Sequence, residues 1–366
     1  MRITAAVTES ARAPFALQEL ELGDLRPDEV LVRVAAAGIC HTDLIMRDQW
    51  YPVPLPAVLG HEGAGVVERV GAAVTLVAPG DRVAMSFDSC GHCPTCRTGS
   101  PAYCHDFWAR NFAAARADGT SALSRDGELI HAHFFGQSCF ATHAVASERN
   151  VVTLPDSMPL ELAAPFGCGI QTGAGGVLDA LAVPAGSTLA VFGTGAVGLS
   201  AIMAGAIAGC TTIVGIDRNA ARLALARELG ATHVVDVGEQ DAGAEIRRLI
   251  GYGADFSVET TGVPAVLRQA VDCLAPRGTC GSIGAAAMGT EVSLDMNVIL
   301  TAGRALRGIV EGDSVPRSLL PRLMTLWEQG RFPVDRLMTF YDFDQIEEAA
   351  RDAEEGRAIK PVLRIS

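Results

Sequence analysis

Four cysteines lie close together in one stretch of the sequence, SCGHCPTCRTGSPAYC. They are Cys90, Cys93, Cys96 and Cys104. Four thiolates fill a tetrahedron and leave no open position, so this spacing predicts a structural Zn²⁺ site. Four unrelated thiols or an iron–sulfur cluster are the alternatives. His92 lies inside the loop but is superfluous once four cysteines bind.

A glycine-rich turn, Gly193-x-Gly195-x-x-Gly198, lies between a strand-like and a helix-like run in STLAVFGTGAVGLSAIMAG. Glycines at these positions allow a tight turn and the close approach of a pyrophosphate to a helix N-terminus. The next strand ends in Asp217, where a carboxylate accepts ribose hydroxyls and repels a 2′-phosphate. The pattern predicts NAD binding. A plain βα turn is one alternative, and NADP is another because Arg218 is able to accept a 2′-phosphate.

The elements around these motifs change in character along the chain. The first 160 or so residues contain short strand-like runs rich in Val, Gly and Pro. From about residue 187, strand-like runs alternate with helix-like stretches, which predicts βαβ units and a parallel sheet. We therefore predict an α/β protein. A doubly wound parallel-sheet domain, residues 170–311, interrupts a β-rich domain made of residues 1–169 and 312–366.

The composition narrows the classes of function. Of 366 residues, 49% are hydrophobic and 19% are charged, which excludes a disordered chain. A formal charge of −13 without a basic stretch makes nucleic acid and anionic membranes poor partners. The uncharged stretch between Asp179 and Asp217 is broken by Pro184 and several glycines, so we expect no membrane span. The start lacks an apolar signal core, so we expect a cytoplasmic protein whose thiols stay reduced.

Three further candidates are dispersed, and their spacing alone does not join them. They are Cys40 in AAAGICHTD, His61 in LGHEGAG and Cys168 in APFGCGIQTG. The segments GICHTDL, GHEGAGVVERVG, the four-cysteine loop, GCGIQTGAGGV and VFGTGAVGL occur in this order. In order and interval they resemble the zinc-dependent medium-chain alcohol dehydrogenases, essentially from end to end. The resemblance implies a Rossmann domain inserted in a β-rich, GroES-like catalytic domain.

The resemblance also implies roles for residues around a catalytic zinc ion. Its ligands would be Cys40, His61 and Cys168. With the four-cysteine loop, this makes two zinc ions per chain. Glu62 would lie beside the metal and help to exchange ligands, and Asp43 would accept a hydrogen bond from the other nitrogen of His61. Thr42 would bind the alcohol oxygen and begin a proton relay.

The implied reaction is the reversible oxidation of an alcohol to an aldehyde, through an alkoxide formed at zinc and hydride transfer to the nicotinamide of NAD. His41 and Lys360 would contact the cofactor pyrophosphate, and Arg222 would reach the adenosine ribose. Each of these three could equally be an ordinary surface charge.

One position departs from the pattern. Many alcohol dehydrogenases of this type carry a histidine that passes the proton to solvent, and this sequence has Ile45 there. An apolar residue at this position is a feature of the aryl (benzyl) alcohol dehydrogenase branch, which HFFGQSCFATHAVASERNVV also resembles. The resemblance predicts a bulky primary alcohol, aryl or terpenoid. Trp50, Tyr51, Phe87 and Trp108 are candidates to line its pocket or to pack in the core.

Two other functions share these motifs. The first is the glutathione-dependent formaldehyde dehydrogenase branch, and the second is a non-catalytic cofactor-binding relative, although such relatives usually lose the metal ligands. The stretch DGTSALSRDGELIHAHFFG resembles the longer loop of dimeric members. We expect a homodimer joined through the edges of the cofactor-domain sheets, with a tetramer as the alternative. The expected partner is a small-molecule alcohol or aldehyde.

Overall fold

The computed structural model describes all 366 residues. By its internal contacts, the chain divides into two compact units. The first unit consists of Met1–Cys168, Val315–Met324 and Val334–Ser366. The second consists of Gly169–Ser314 and Thr325–Pro333. The sequence of the second unit therefore interrupts that of the first.

The part of the chain before residue 169 is rich in short strands. These are β1 (Arg2–Thr8), β2 (Ala16–Leu22), β3 (Glu29–Gly38), β4 (Ala57–Val58), β5 (Gly63–Val70), β6 (Arg82–Met85), β7 (Leu123–Arg125), β8 (Glu128–Ile130), β9 (His143–Ser147) and β10 (Val151–Thr153). Its helices are α1 (His41–Arg47), α2 (Pro94–Arg97), α3 (Phe107–Asn111) and α4 (Leu160–Ala163). Short 3₁₀ turns link them, among them Ala164–Gly167 and Phe134–Gly136.

From residue 169 onwards, helices and strands alternate. The elements are α5 (Gly169–Gly175), β11 (Thr188–Phe192), α6 (Ala196–Ala208), β12 (Thr212–Asp217), α7 (Ala220–Glu228), β13 (His233–Asp236), α8 (Ala242–Ile250), β14 (Ala254–Glu259), α9 (Pro264–Asp272), β15 (Leu274–Ser282), α10 (Met296–Ala302) and β16 (Ala305–Gly308). The chain ends with α11 (Pro316–Glu328), β17 (Met338–Asp342), α12 (Ile346–Glu354) and β18 (Lys360–Arg364).

The first unit contains two sheets. One has the strand order β4-β1-β2-β7-β8, and the other has the order β10-β6-β5-β3-β18-β17, with β9 also paired to β3. Strand β3, EVLVRVAAAG, is central and lies buried along most of its length because it pairs antiparallel with β5, β9 and β18. The end of β3 and the beginnings of β5 and β18 therefore meet at one edge of the sheet.

The second unit contains one six-stranded parallel sheet with the order β13-β12-β11-β14-β15-β16. Strand β11 pairs with β12 on one side and β14 on the other, so the direction of winding changes at β11. Such switch points bind ligands at the carboxyl ends of the strands. The predicted α/β fold with a doubly wound parallel sheet is confirmed.

The uncharged stretch of the sequence forms the β11–α6–β12 unit of this sheet. Helix α6, AVGLSAIMAGAIA, is buried along most of its length, which explains why it lacks a polar face. No helix of the structure is long and apolar enough to cross a membrane.

Candidate metal centre and cofactor site

Four metal-ligating side chains converge at the edge where β3 ends and β5 begins. Ala37 of β3 pairs with Gly63 of β5, which brings the residue after β3 next to those before β5. The fourth side chain belongs to Cys168, which directly follows the turn Ala164–Gly167. Ser86 Oγ donates to the Gly167 carbonyl of this turn at 2.7 Å. The ligand atoms all lie within 4.8 Å of one another in the group Cys40, His61, Glu62 and Cys168.

Asp43, in the first turn of α1, fixes the orientation of His61. Its carboxylate accepts the backbone N–H of Cys40 at 3.0 Å and that of Gly60 at 3.1 Å, and it lies 2.8 Å from His61 Nδ1. In the neutral ring, with Nδ1 donating to Asp43, the lone pair is on Nε2, which is buried and has no hydrogen-bond partner. An orphaned imidazole nitrogen beside two thiols fits a zinc ligand set.

The charges of this group are balanced for a divalent metal ion. A hydrogen bond from Cys168 and the positive charge of Lys360 hold the pKa of the Cys40 thiol well below its usual range, although burial acts against them. Burial raises the pKa of Glu62, and Lys360 offsets part of this effect. A bound Zn²⁺ would be balanced by the Cys40 thiolate and by Cys168 once it has lost its proton, while Lys360 balances Glu62.

Lys360 lies inside this group rather than at the surface. Its Nζ donates to the two carboxylate oxygens of Glu62 at 2.9 and 2.8 Å and to the carbonyl of Ile39 at 3.3 Å. The side chain is 3% exposed. This pair was not predicted from the sequence, and the contact of Lys360 with a cofactor pyrophosphate stays a prediction.

The four cysteines of the loop also come together. The Sγ atoms of Cys90, Cys93, Cys96 and Cys104 all lie within 4.8 Å of one another. The backbone N–H of Cys90 donates to Cys104 Sγ, and that of Cys93 donates to Cys90 Sγ, both at 3.2 Å. Such donors favour thiolates, which fits a tetrahedral metal site. His92 is exposed, and its Nδ1 lies 2.8 Å from the Cys90 carbonyl.

The three glycines of the glycine-rich turn after β11 have different roles. Gly193 has a φ of +90°, and a Cβ atom there would lie 2.5 Å from Thr260 Oγ1. A Cβ atom at Gly198 would lie 1.8 Å from the Gly193 carbonyl oxygen. At Gly195 a Cβ atom would meet nothing within 4 Å. Two glycines therefore allow the chain to pack, and the third leaves open space at the N-terminus of α6, as a pyrophosphate requires.

Asp217 at the end of β12 is held by its own chain. One carboxylate oxygen accepts from the amide and hydroxyl of Thr194, at 2.7 and 2.8 Å. The other accepts from the amides of Arg218 and Asn219, at 2.7 and 3.0 Å. Burial acts to raise the pKa of Asp217, but these donors outweigh it and lower the pKa. Asp217 is therefore an oriented anion, and the role of Thr194 was not predicted.

Other predicted residues lie on or near α1 and α7. Arg222, in the first turn of α7, keeps a buried Nε without a hydrogen-bond partner, so a donor is left for a ligand. His41 is exposed and lies edge-on to Trp50, with ring centroids 6.2 Å apart. Thr42 Oγ1 lies 3.7 Å from Cys40 Sγ. Ile45 is buried, so that position of α1 offers no proton acceptor.

Aromatic rings lead from the surface to His61. Trp108, which is 46% exposed, stacks on Phe112 with centroids 4.5 Å apart. Phe112 lies 5.2 Å from Phe135, and Phe135 lies 4.5 Å from the His61 ring. Tyr51 lies edge-on to Trp108 at 5.8 Å. We call Tyr51, Trp108, Phe112 and Phe135 the aromatic row.

Two other aromatic residues complete this region. Phe134 lies edge-on to His61 with centroids 5.4 Å apart, and it is fully buried. Phe87 is buried, with its ring 5.9 Å from that of Phe107. Of the four aromatic candidates from the sequence, Tyr51 and Trp108 belong to the aromatic row, whereas Phe134 and Phe135 were not foreseen.

The Asp43–His61 hydrogen bond is expected to control metal affinity. The Asp43→Asn variant should bind zinc about 10–100-fold more weakly, because an amide neither carries the charge nor fixes the histidine tautomer as a carboxylate does. Competition with a chromogenic chelator measures this affinity. Asp241→Asn is the matched control, since Asp241 caps α8 through the Ala244 amide. Equal zinc affinity in Asp43→Asn and the parent would contradict the role of Asp43.

Comparison with known proteins identifies the family. The family model for the alcohol dehydrogenase GroES-like domain matches residues 26–156, and that for zinc-binding dehydrogenases matches residues 196–328. The geraniol dehydrogenase of Castellaniella defragrans is 47% identical over 98% of this chain and 96% of its own. The chain belongs to the zinc-dependent medium-chain alcohol dehydrogenases. The family and enzyme class predicted from the sequence are confirmed.

Solved structures agree with this membership. This chain is 46% identical to benzyl alcohol dehydrogenase from Acinetobacter calcoaceticus. The two structures superpose with a TM-score of 0.97 over 100% of both chains. A zinc-binding dehydrogenase from Sinorhizobium meliloti bound to NADP is 26% identical, with a TM-score of 0.81 over 100% of both chains. The protein is thus an enzyme with a small-molecule substrate and a nicotinamide cofactor.

Proposed function

We propose that this alcohol dehydrogenase oxidises bulky primary alcohols, aryl (benzyl) or terpenoid, reversibly to their aldehydes with NAD. The observation that carries the proposal is the aromatic row, which ends against the candidate metal ligand His61. Aromatic rings offer apolar area and edge or face contacts to a large substrate. Two similar proteins, named geraniol dehydrogenase and benzyl alcohol dehydrogenase, support the same substrate class.

The proposed catalytic domain, residues 1–169 and 312–366, contains the whole of the first unit, and the proposed NAD-binding domain, residues 170–311, lies within the second. The first carries both groups of ligand-type residues, and the second carries the glycine-rich turn. We assign a catalytic zinc ion to Cys40, His61 and Cys168. A structural zinc ion is assigned to the four cysteines of the loop, which makes two zinc ions per chain.

The proposed catalytic residues bind and orient groups around the metal site. A zinc ion held there would supply a Lewis acid, which lowers the pKa of the substrate hydroxyl. Asp43 keeps the lone pair of His61 Nε2 directed at the site. The Thr42 hydroxyl, close to Cys40, binds the substrate hydroxyl and takes up its proton. Because Ile45 carries no acceptor, the proton leaves Thr42 by a route that excludes position 45.

Glu62 has a separate proposed role. Its carboxylate belongs to the group of ligand atoms, yet Lys360 holds it through both oxygens. A carboxylate tethered in this way can approach the metal when another ligand leaves and withdraw afterwards. This arrangement supports a part for Glu62 in ligand exchange.

The proposed cofactor is NAD, whose nicotinamide accepts the hydride. The open space at Gly195 and the N-terminus of α6 fit a pyrophosphate. The oriented anion of Asp217 disfavours a 2′-phosphate, which supports NAD over NADP. The free donor of Arg222 suits the adenosine ribose. Contacts of His41 and Lys360 with the pyrophosphate are carried over from the family resemblance.

A homodimer, or alternatively a tetramer, is the proposed assembly. Strand β16 is an edge of the parallel sheet, and all four of its residues are exposed. Leu306 on β16 and Met296 and Leu300 on α10 expose 41%, 83% and 77% of their surface. An unpaired edge beside apolar side chains suits pairing with a second copy. Ten free cysteines favour a reducing compartment, which supports a cytoplasmic location.

An alcohol panel tests the substrate class. The parent enzyme should show a higher kcat/KM for benzyl alcohol and geraniol than for ethanol. The Trp108→Ala variant should lose about 2–10-fold in kcat/KM for benzyl alcohol, the equivalent of one aromatic contact, with little change for ethanol. Initial rates of NAD reduction measure both effects.

Tyr252→Ala is the matched control, because Tyr252 is 90% exposed and lies in the second unit. It should leave the panel unchanged. Equal losses for benzyl alcohol and ethanol in Trp108→Ala would show that the aromatic row acts only in packing. A preference for formaldehyde with glutathione would move the enzyme to the glutathione-dependent branch.

A further inference from the structure

A cavity of about 420 Å³ lies in the first unit, and none of the residues assigned above as zinc ligands lines it. Four arginines contribute to its wall: Arg26, Arg110, Arg116 and Arg149. His133 and Gly136 also line it, and they flank the two phenylalanines that contact His61. The reaction proposed above uses none of these lining residues.

Two of the four acidic residues in the cavity wall are buried and paired with arginines. Both oxygens of Glu29 accept from Arg116, at 2.7 and 2.6 Å, and one also accepts from the Arg26 amide. Asp88 Oδ2 accepts from Arg110 at 2.9 Å. The other two acidic residues, Asp28 and Asp106, are exposed. The buried carboxylates are thus paired with arginines, which they also hold in place.

The arginines keep donors that their partners do not use. Arg116 bonds through Nε and Nη2 and has Nη1 left. Arg149 donates from Nε to the Ser89 carbonyl at 3.0 Å, and its two Nη atoms make no hydrogen bond, although Nη2 lies 3.9 Å from Asp28 Oδ2. Arg26 uses Nη2 for Asp118. Arg110 Nε is buried and has no hydrogen-bond partner. Fixed guanidinium groups with free N–H donors suit a carboxylate or phosphate.

His133 adds a neutral donor. It is 7% exposed, and its Nε2 accepts the Ala122 amide at 3.2 Å, which leaves the proton on Nδ1. No hydrogen bond is made by Nδ1. Burial and the charge of Arg116 lower the pKa of His133 to about 4, so the ring is neutral near pH 7. The Nδ1–H is therefore a donor available to a ligand in the cavity.

One acceptor is also free. Asp88 Oδ1 is buried without a hydrogen bond, and Arg149 Nε lies 3.9 Å from it. A ligand that fills the cavity must therefore accept several hydrogen bonds and donate one. Hydrogen phosphate does both, because it has anionic oxygens and one hydroxyl. A hydroxy-carboxylate shares this chemistry.

We propose that this cavity is a binding site for a small oxyanion that also carries a hydroxyl group, separate from the catalytic site. The guanidinium groups and His133 Nδ1 bind the anionic oxygens, and Asp88 Oδ1 accepts the hydroxyl. The volume leaves room for a ligand larger than phosphate itself, so a phosphate ester or a hydroxy acid fits as well as the free ion.

Isothermal titration calorimetry with inorganic phosphate tests the proposal on zinc-loaded enzyme saturated with NAD, which keeps phosphate out of the cofactor site. One phosphate per chain should bind to the parent. The Arg149→Gln variant should bind it at least about tenfold more weakly, since a charge-assisted hydrogen bond is lost. Arg125→Gln is the control, because Arg125 pairs with Glu9 on the same unit and does not line the cavity.

Zinc content and NAD affinity should be the same in all three proteins. The proposal is overturned if neither phosphate nor citrate binds to the NAD-saturated parent. It is also overturned if Arg149→Gln binds phosphate as tightly as the parent and the Arg125→Gln control do. Titration with citrate, a hydroxy-carboxylate, distinguishes a site for hydroxy acids from one for phosphate.

Discussion

The Cys40→Ala variant is expected to lose the zinc ion beside His61 and about a thousandfold or more in kcat/KM for benzyl alcohol. A Lewis-acid metal supplies several kcal/mol of charge stabilisation, and about 4 kcal/mol corresponds to a thousandfold in rate. The substitution removes one of the two cysteine ligands. The backbone amide of residue 40 remains and still donates to Asp43, so the N-terminus of α1 is preserved. Zinc content by mass spectrometry and steady-state rates measure the two effects.

Cys210→Ala provides the matched control. Cys210 is partly buried, lies in the second unit and belongs to no group of ligand-type residues. This variant should keep the zinc content and activity of the parent. Full activity in a Cys40→Ala protein that lacks one zinc ion per chain would contradict the assignment of Cys40 to the catalytic site.

The local motifs could be predicted from the sequence because one stretch of chain contains all their parts. The cysteines of SCGHCPTCRTGSPAYC come together within a single loop, and the glycine-rich turn lies between a strand and the helix that it begins. In both cases, spacing along the chain is close to spacing in the structure. Chemistry and spacing were therefore enough to place these two groups.

The dispersed ligands required the resemblance to a family. Cys40, His61 and Cys168 meet because β3 pairs antiparallel with β5 in one register and a 3₁₀ turn approaches the same edge. Nothing in the local sequence fixes that register. The strands themselves were visible as apolar runs, but the pairing that creates the site depends on contacts across the whole sheet.

Strand β16 of the second unit could not be predicted from apolar periodicity, for a physical reason. All residues of β16 are exposed, so it has no apolar alternation. Hydrophobic periodicity detects elements by the face that they bury. The rings of Phe134 and Phe135 were missed differently, since HFFG carries no sign of the left-handed turn that directs them at His61.

The Lys360–Glu62 pair could not be predicted from the local sequence either, because its two residues lie far apart in the chain. Strand β18 pairs with β3, with Val362 opposite Gly38, which places Lys360 beside the end of β3. Both side chains are almost fully buried, at 3% and 0% exposure. Two charges in such a place are stable only together, because each alone would have to give up its hydration without a partner. The pair therefore links the C-terminal strand to the candidate metal centre.

The Lys360→Met variant should lose about 3–5 kcal/mol in the free energy of unfolding, because a buried carboxylate is left without its partner. Adding Glu62→Gln in the double variant should recover most of this loss, since the uncompensated charge is then removed. Chemical unfolding of the zinc-loaded proteins under one set of conditions measures all the differences.

Arg357→Met is the matched control for loss of a cation. Arg357 pairs with Asp352 at 2.6 Å, but 53% of its side chain is exposed, so the loss should stay below about 1 kcal/mol. A small loss in Lys360→Met, equal to that of the control, would show that Glu62 is compensated without Lys360, and the tether proposed for ligand exchange would then fail. A large loss that Glu62→Gln does not reverse would mean that Lys360 stabilises the fold through its contact with Ile39 instead.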